Sequence, residues 1–285
     1  MKGRRAPGDL DMFRKNLLKQ SLTQGRKTFG AWLFLPGADT AEILGTAGFD
    51  ALIVDHEHTA GDVQTTIAQL RAIRSAGDAT VLARVPSCDA PIIKPLLDAG
   101  VEGLLLPTIE SASEARRLAS AAWYPPHGAR GAHYTVSRAA GWGTDTSPYR
   151  ANARRELLLI GMIESARGVA ALPEILDENV LDMIFIGPLD LAESHGFGPA
   201  MSHRVVQAAI TEVEQQVLAR GVLLGGALRP GETPAQAYAR GYSFVTVGCD
   251  SAFLRQTAEA GAQMAKLAAD TVHQPKPASD SARTQ

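Results

Sequence analysis

Ala51-Leu52-Ile53-Val54-Asp55-His56-Glu57-His58 is the stretch whose reading decides the fold: four uninterrupted apolar residues run directly into four that can titrate or bind. A short, continuous apolar run that does not alternate suits a parallel strand covered on both faces. The polar end then marks a strand C-terminus. Working outward, Thr80–Ala83 is closed by Arg84, Leu157–Ile163 is closed by Glu164, and Asp190 lies just past Met183–Gly187. Further runs at Phe29–Leu35, Gly103–Leu106, Val222–Gly226 and Phe244–Val247 bring the predicted strands to eight.

Helical patterns lie between the strands. They are predicted at Val63–Ser75, Ser111–Ala122, Val169–Leu176, His203–Arg220 and Pro234–Arg240, with Ser251–Ala269 after the last strand. Ser111 and Glu114 stand at capping-box spacing. This βα repetition predicts a single α/β domain, a (β/α)8 TIM barrel, in preference to an open doubly wound sheet. The expected division is a leader and lid helix over residues 1–28, the lid at Met12–Gln20, then a barrel over 29–270 and a polar, disordered tail over 271–285. The long segment Trp123–Tyr149, rich in Gly, Pro, His and aromatics, reads as a pocket wall. In a closed parallel barrel the strand C-termini share one face, so Asp55, His58, Arg84, Glu164 and Asp190 are expected around one pocket.

Composition narrows the function. The chain has 285 residues, 45% hydrophobic and 20% charged, enough for one large core. A formal net charge of -2 gives no general attraction to nucleic acid or anionic membranes. Cys88 and Cys249 are the only cysteines and form no CxxC motif, which fits a reducing cytoplasm and indicates neither a disulfide framework nor a thiolate metal site. The leader's Arg4, Arg5, Arg14 and Lys15 are interrupted by Asp9 and Asp11 and followed by no long apolar region, against a secretory signal. No run reaches the roughly 18 to 20 apolar residues of a membrane span.

Glu164 and Asp190, at consecutive strand ends, could converge on one hard divalent cation such as magnesium or manganese. The alternatives are a Glu164–Arg167 pair and Asp190 as the cap of a helix beginning at Leu191. Asp55 could hold the His58 imidazole in one tautomer for proton exchange near neutral pH, although His56 and Glu57 could equally face the pocket, and a zinc site is conceivable. Arg84 at a strand end needs an anionic partner: a substrate oxyanion, or Asp55 or Glu164 across the barrel mouth. Gly187 and Pro188 precede Leu189-Asp190-Leu191 where a helix starts, a place that attracts carboxylate or phosphate; Gly225-Gly226 is either a phosphate site or a turn. No strand ends in lysine, which removes the Schiff-base route, and neither GxGxxG nor a Walker motif occurs.

With these residues in place, the chain resembles the HpcH/HpaI family of class II 2-oxo acid aldolases. The resemblance runs through Gly30-Ala31-Trp32-Leu33, Asp55-His56-Glu57-His58, Arg84-Val85-Pro86-Ser87, Leu105-Leu106-Pro107, Gly128-Ala129-Arg130-Gly131, Ile163-Glu164 and Ile186-Gly187-Pro188-Leu189-Asp190-Leu191. It implies a barrel of the phosphoenolpyruvate/pyruvate-binding type and a homohexamer, a trimer of dimers, with the terminal helix open to exchange. It further implies that Glu164 and Asp190 ligate Mg2+, Mn2+ or Co2+, that Arg84 stabilises an enolate oxygen, and that His58, oriented by Asp55, takes part in proton transfer. Backbone near Gly187, Pro188 and Leu189 would hold the pyruvate carboxylate. Asp98 matches a position reaching a neighbouring subunit's site, while Trp32, Arg130 and Met162 match positions near the pocket. The implied substrates are a 2-oxo acid and an aldehyde.

Two residues depart from the pattern: His56 where relatives usually have Gly, and Met162 where they have Gln. Met162 makes the wall more apolar; His56 adds a titratable group. His127, His133 and Tyr134 also replace small residues. The competing readings are a citrate-lyase-like or malyl-CoA-lyase-like enzyme, whose pattern lacks the Asp-x-x-His pair, and a catalytically silent ligand-binding barrel, which leaves the retained polar set unexplained.

Overall fold

The computed structural model describes residues 13–273. Residues 1–12 of the expected leader and the tail from Gln274 lie outside the described residues. Eight parallel strands close into a barrel in sequence order, the first hydrogen-bonded to the last. They are β1 (Thr28–Leu33), β2 (Ala51–Asp55), β3 (Thr80–Arg84), β4 (Gly103–Leu106), β5 (Leu158–Ile163), β6 (Met183–Ile186), β7 (Leu223–Ala227) and β8 (Phe244–Cys249). Closure decides between the barrel and the open sheet, in favour of a TIM barrel.

The helices are α1 (Leu17–Thr23), α2 (Ala38–Thr46), α3 (Val63–Ala76), α4 (Ala90–Ala99), α5 (Ala112–Ala122), α6 (Thr146–Glu156), α7 (Ala166–Asp177), α8 (Pro188–Ser194), α9 (Arg204–Ala219), α10 (Pro234–Ala239) and α11 (Asp250–His273). Their starts follow capping chemistry. Ser111 accepts the Glu114 N–H, Ser165 accepts the Gly168 N–H, and Thr233 forms a full capping box with Gln236. Residues 251–273 form a second unit, one long helix. Among the described residues no helix is long and apolar enough to cross a membrane.

Side chains alternate along a strand, so the inward phase of the barrel can be followed by twos. Ile53, Leu82, Leu105, Ile160, Met162, Met183, Phe185 and Phe244 form the central core. Two residues past Ile53, Leu82, Met162 and Phe185 stand Asp55, Arg84, Glu164 and Gly187. The core pattern therefore delivers these four positions to the strand C-termini on the barrel axis.

Several boundaries and placements differ from the sequence expectation. The first helix starts at Leu17 because the Asn16 side chain caps it, accepting the Lys19 N–H. Asn16 also donates to the carbonyls of Glu102 and Glu156, and Thr80 Oγ1 accepts the Leu18 N–H. These partners sit at the starts of β3, β4 and β5, so α1 closes the strand-N-terminal end of the barrel, with Leu18 and Leu22 entering its core. The segment after Trp123 does not line the cavity at the strand C-termini; its Arg130, Ala139 and Tyr149 border a small cavity at the opposite end of the barrel. The segment holds a 3-10 turn at Arg138–Gly143 and the start of α6, and packs Tyr124, Ala140 and Tyr149 into a satellite cluster. Gly225 and Gly226 lie within β7, where an added Cβ would stand 2.7 Å from Met183 Sδ and 2.7 Å from the Tyr242 ring; their smallness serves packing.

Candidate active site

A cavity of about 480 Å³ opens at the strand C-termini, bounded by Trp32, Phe34, Met162, Phe185 and the β7 and β8 ends, with His58, Arg84, Glu164 and Asp190 on its polar side. Two charged clusters organise that side.

The first centres on Arg84. Asp55 and Arg84 are register partners on β2 and β3, and Arg84 Nε donates to Asp55 Oδ1 at 2.5 Å. Arg84 Nη1 lies 3.1 Å from Glu57 Oε2, and the guanidinium carbon stands 4.7 Å from the Trp32 ring centre. Both ion-paired strand-end side chains are almost fully buried. A planar cation with two carboxylates on its edge and an indole against its face is fixed in orientation. Of the alternatives that the sequence left open, the ion pair goes to Asp55, and Glu57 is a second partner.

Asp55 does not touch the His58 ring. Its Oδ2 accepts the His58 backbone N–H at 2.9 Å and Oδ1 that of Glu57 at 3.3 Å, so the carboxylate fixes the loop that carries the histidine. The His58 side chain is 62% exposed at the cavity rim, its Nε2 lying 3.6 Å from Glu57 Oε2. His56 turns away, its Nε2 2.6 Å from Thr66 Oγ1 on α3. Burial lowers the His56 pKa, against the opposing pull of Asp55.

The second cluster is Glu164 with Asp190. Glu164 is 4% exposed. Its Oε1 accepts both the N–H of Thr108 at 2.6 Å and the Thr108 hydroxyl at 3.1 Å. Thr108 adopts a φ of 44°, a left-handed conformation that costs a β-branched residue of order 1–3 kcal/mol and is typically kept at functional positions. The other oxygen, Oε2, is buried and has no hydrogen-bond partner. Burial raises the Glu164 pKa, and the negative charge of Asp190 adds to the rise, against the Thr108 bonds. Arg167 pairs with Glu110 instead. Gly187 makes room for the carboxylate: a Cβ there would lie within 2.4 Å of Oε2.

Asp190 occupies the first turn of α8, which begins at Pro188 rather than Leu191. An orphaned buried carboxylate oxygen beside a second acid is a donor set that suits a hard divalent cation keeping several waters. Among the described residues no group of three or more His, Cys, Asp or Glu side chains is placed to hold a metal ion.

Asp98 and Arg130 lie elsewhere. Arg130 donates to Asp98 Oδ1 at 2.6 Å and to the Tyr149 hydroxyl at 3.0 Å, and it borders a small cavity with Val101, Glu102 and Leu157, at the strand-N-terminal end. The residues that sequence reasoning missed are Thr108, which grips Glu164, and Glu57 as a partner of Arg84. Thr108 lies two residues past the predicted strand end at Leu106, and Glu57 three past that at Val54.

A family profile described as HpcH/HpaI aldolase/citrate lyase matches residues 29–257. The chain belongs to this family. It is accordingly an enzyme of the carbon–carbon lyase class. A 4-hydroxy-2-oxo-heptane-1,7-dioate aldolase from Salmonella dublin is 39% identical over 248 residues, 86% of this chain and 93% of the relative. A 4-hydroxy-2-oxovalerate aldolase from Rhodococcus jostii is 38% identical over 255 residues, 89% of this chain and 97% of the relative. Among solved structures, an HpcH/HpaI aldolase/citrate lyase family protein from Burkholderia cenocepacia superposes with a TM-score of 0.83 at 33% identity, covering 88% of this chain and 99% of that one.

Proposed function

We propose that this HpcH/HpaI family member cleaves a 4-hydroxy-2-oxo acid into pyruvate and an aldehyde, reversibly, with Glu164 and Asp190 holding a divalent cation. The observation that carries the reading is the unpartnered Glu164 Oε2, buried beside Asp190 in the cavity that also receives Arg84. When bound, a magnesium, manganese or cobalt ion would supply Lewis-acid polarisation of the 2-oxo group.

The chain's own residues do the rest. The 4-hydroxyl loses its proton as the C3–C4 bond breaks, the aldehyde leaves, and the bond's electrons move toward the 2-oxo oxygen. Arg84 sets a fixed guanidinium beside that oxygen, stabilising charge that exists only once the bond has begun to break. His58 takes the hydroxyl proton at the exposed rim, where it can exchange with water. Asp55 acts through position, holding both the Arg84 fork and the His58 backbone. The Leu189 N–H, one of the first in α8 and without an intrahelical acceptor, receives the pyruvate carboxylate above Gly187 and Pro188. Trp32 walls the three-carbon unit, with Met162 beside the space beyond it. A proton returned to C3 completes pyruvate.

The test is pyruvate release from a panel of 4-hydroxy-2-oxo acids, followed by coupled lactate dehydrogenase. The expected result is activity that disappears with chelator and returns with added manganese or magnesium. Full activity after exhaustive chelation, or borohydride trapping of an enzyme–substrate adduct, would contradict the reading.

A further inference from the structure

We infer that the aldehyde half of the substrate is uncharged and apolar, and that the chain discriminates against aldehydes bearing a second carboxylate; this rests on the aldolase reading above. Cleavage between C3 and C4 leaves whatever follows C4 as the tail of the aldehyde. A heptane-1,7-dioate skeleton gives a tail ending in carboxylate, whereas a valerate skeleton gives a neutral one. The tail has to lie along the part of the cavity that the polar cluster does not occupy.

That part is apolar. Phe34, Phe185, Met162, Met201, Leu228 and Val247 line it. Among the described residues lining the cavity, Arg84 is the only arginine or lysine, and its guanidinium is already held by Asp55 and Glu57. His58 is at the rim with Glu57 as its neighbour. Arg229, which follows Leu228, does not line this cavity but a neighbouring one that shares Met201 with it. Its Nη2 and Nε lie 2.8 and 3.2 Å from Glu232, and its Nη1 donates to Gln207 at 2.6 Å.

A carboxylate on the tail would thus find no free cation. With a divalent cation offsetting Glu164 and Asp190, it would still meet the negative pyruvate carboxylate and would lose its hydration against methionine and phenylalanine side chains. An alkyl tail gains those same contacts by burial. Met162 lies on this wall, so the departure noted in the sequence acts in the same direction.

The experiment compares kcat/KM for addition of pyruvate to pentanal and to succinic semialdehyde, in which a carboxylate replaces pentanal's terminal ethyl group, using the full chain with added manganese. The expected preference for pentanal is about a hundred-fold or more. Met201→Arg and, separately, Leu228→Arg are expected to narrow that preference at least about tenfold by raising the value for succinic semialdehyde, a gain that misfolding cannot produce. Equal rates, or a preference for succinic semialdehyde, overturn the inference. Two folded variants that leave the ratio unchanged overturn its assignment to this wall. No product from either aldehyde, with no pyruvate released from any 4-hydroxy-2-oxo acid, overturns the aldolase reading and this one with it.

Discussion

Removing the Arg84 side chain separates its structural work from its chemical work. In Arg84→Ala, Asp55 loses its 2.5 Å partner and Glu57 its 3.1 Å one, and the Trp32 face is uncovered. Breaking a buried pair by deleting one partner costs about 3–5 kcal/mol. Asp55 keeps the two backbone N–H bonds from Glu57 and His58, which places the loss near the lower end, about 3 kcal/mol. For a barrel of this size each kcal/mol moves the melting temperature by roughly 2 °C, so the expected fall is roughly 6 °C. Arg84→Lys keeps the charge but loses the planar fork, so its melting temperature falls by only about 2 °C. Its kcat should nevertheless drop by a factor on the order of 10² to 10³ with little change in KM, because the lost interaction forms as charge develops. The assays are thermal melts by circular dichroism and coupled pyruvate release. Asp55→Ala with Arg84→Ala should be less destabilised than the sum of the single variants, by a coupling of about 1–3 kcal/mol. Arg84→Lys with full kcat, or an additive double variant, would refute the reasoning.

Gly187→Ala should abolish most activity and lower stability by about 1–3 kcal/mol, because its Cβ would force Glu164 Oε2 out of a 2.4 Å approach; steady-state kinetics and melts check it. Glu164→Gln in chelator-treated protein is expected to melt higher by roughly 2–4 °C, since a neutral amide replaces a buried carboxylate with an orphaned oxygen, and to lose the rise that manganese gives the parent. Glu232 tests the pH dependence of stability. Burial works against its ionisation, but the Arg229 and Arg240 guanidiniums outweigh that and hold its pKa down at about 2, against an ordinary 4.5. A depressed acid stabilises the fold above its ordinary pKa and loses that contribution as pH falls from about 4.5 through about 2. Glu232→Gln should therefore melt below the parent at pH 7, with the gap closing toward pH 2.

The barrel was legible because its strands are short apolar runs whose ends carry the polar residues. Following the alternation of Ile53, Leu82, Met162 and Phe185 by two further residues lands on Asp55, Arg84, Glu164 and Gly187. The contacts among those residues were less legible. Asp55 and His58 stand at a spacing that fits a carboxylate–imidazole pair, yet the same spacing lets the carboxylate take the backbone N–H of an Asx-type turn, and the structure has that bond. Thr108 gave no warning, since its grip on Glu164 depends on a left-handed backbone that propensity does not anticipate for threonine. The polar, aromatic segment after Trp123 has the composition of a pocket wall, but its tyrosines pack with Arg130 and Asp98 far from the strand C-termini. The expected lid helix closes the opposite end, because Asn16 is anchored to residues that precede β4 and β5.

Glu164 and Asp190 carry the central claim, and a crystal soaked with manganese and oxalate, read by anomalous scattering, tests it most directly. One strong peak between Glu164 Oε2 and the Asp190 carboxylate is expected, with oxalate reaching toward Arg84. A peak bound by other residues, or none at saturating manganese, would contradict that claim.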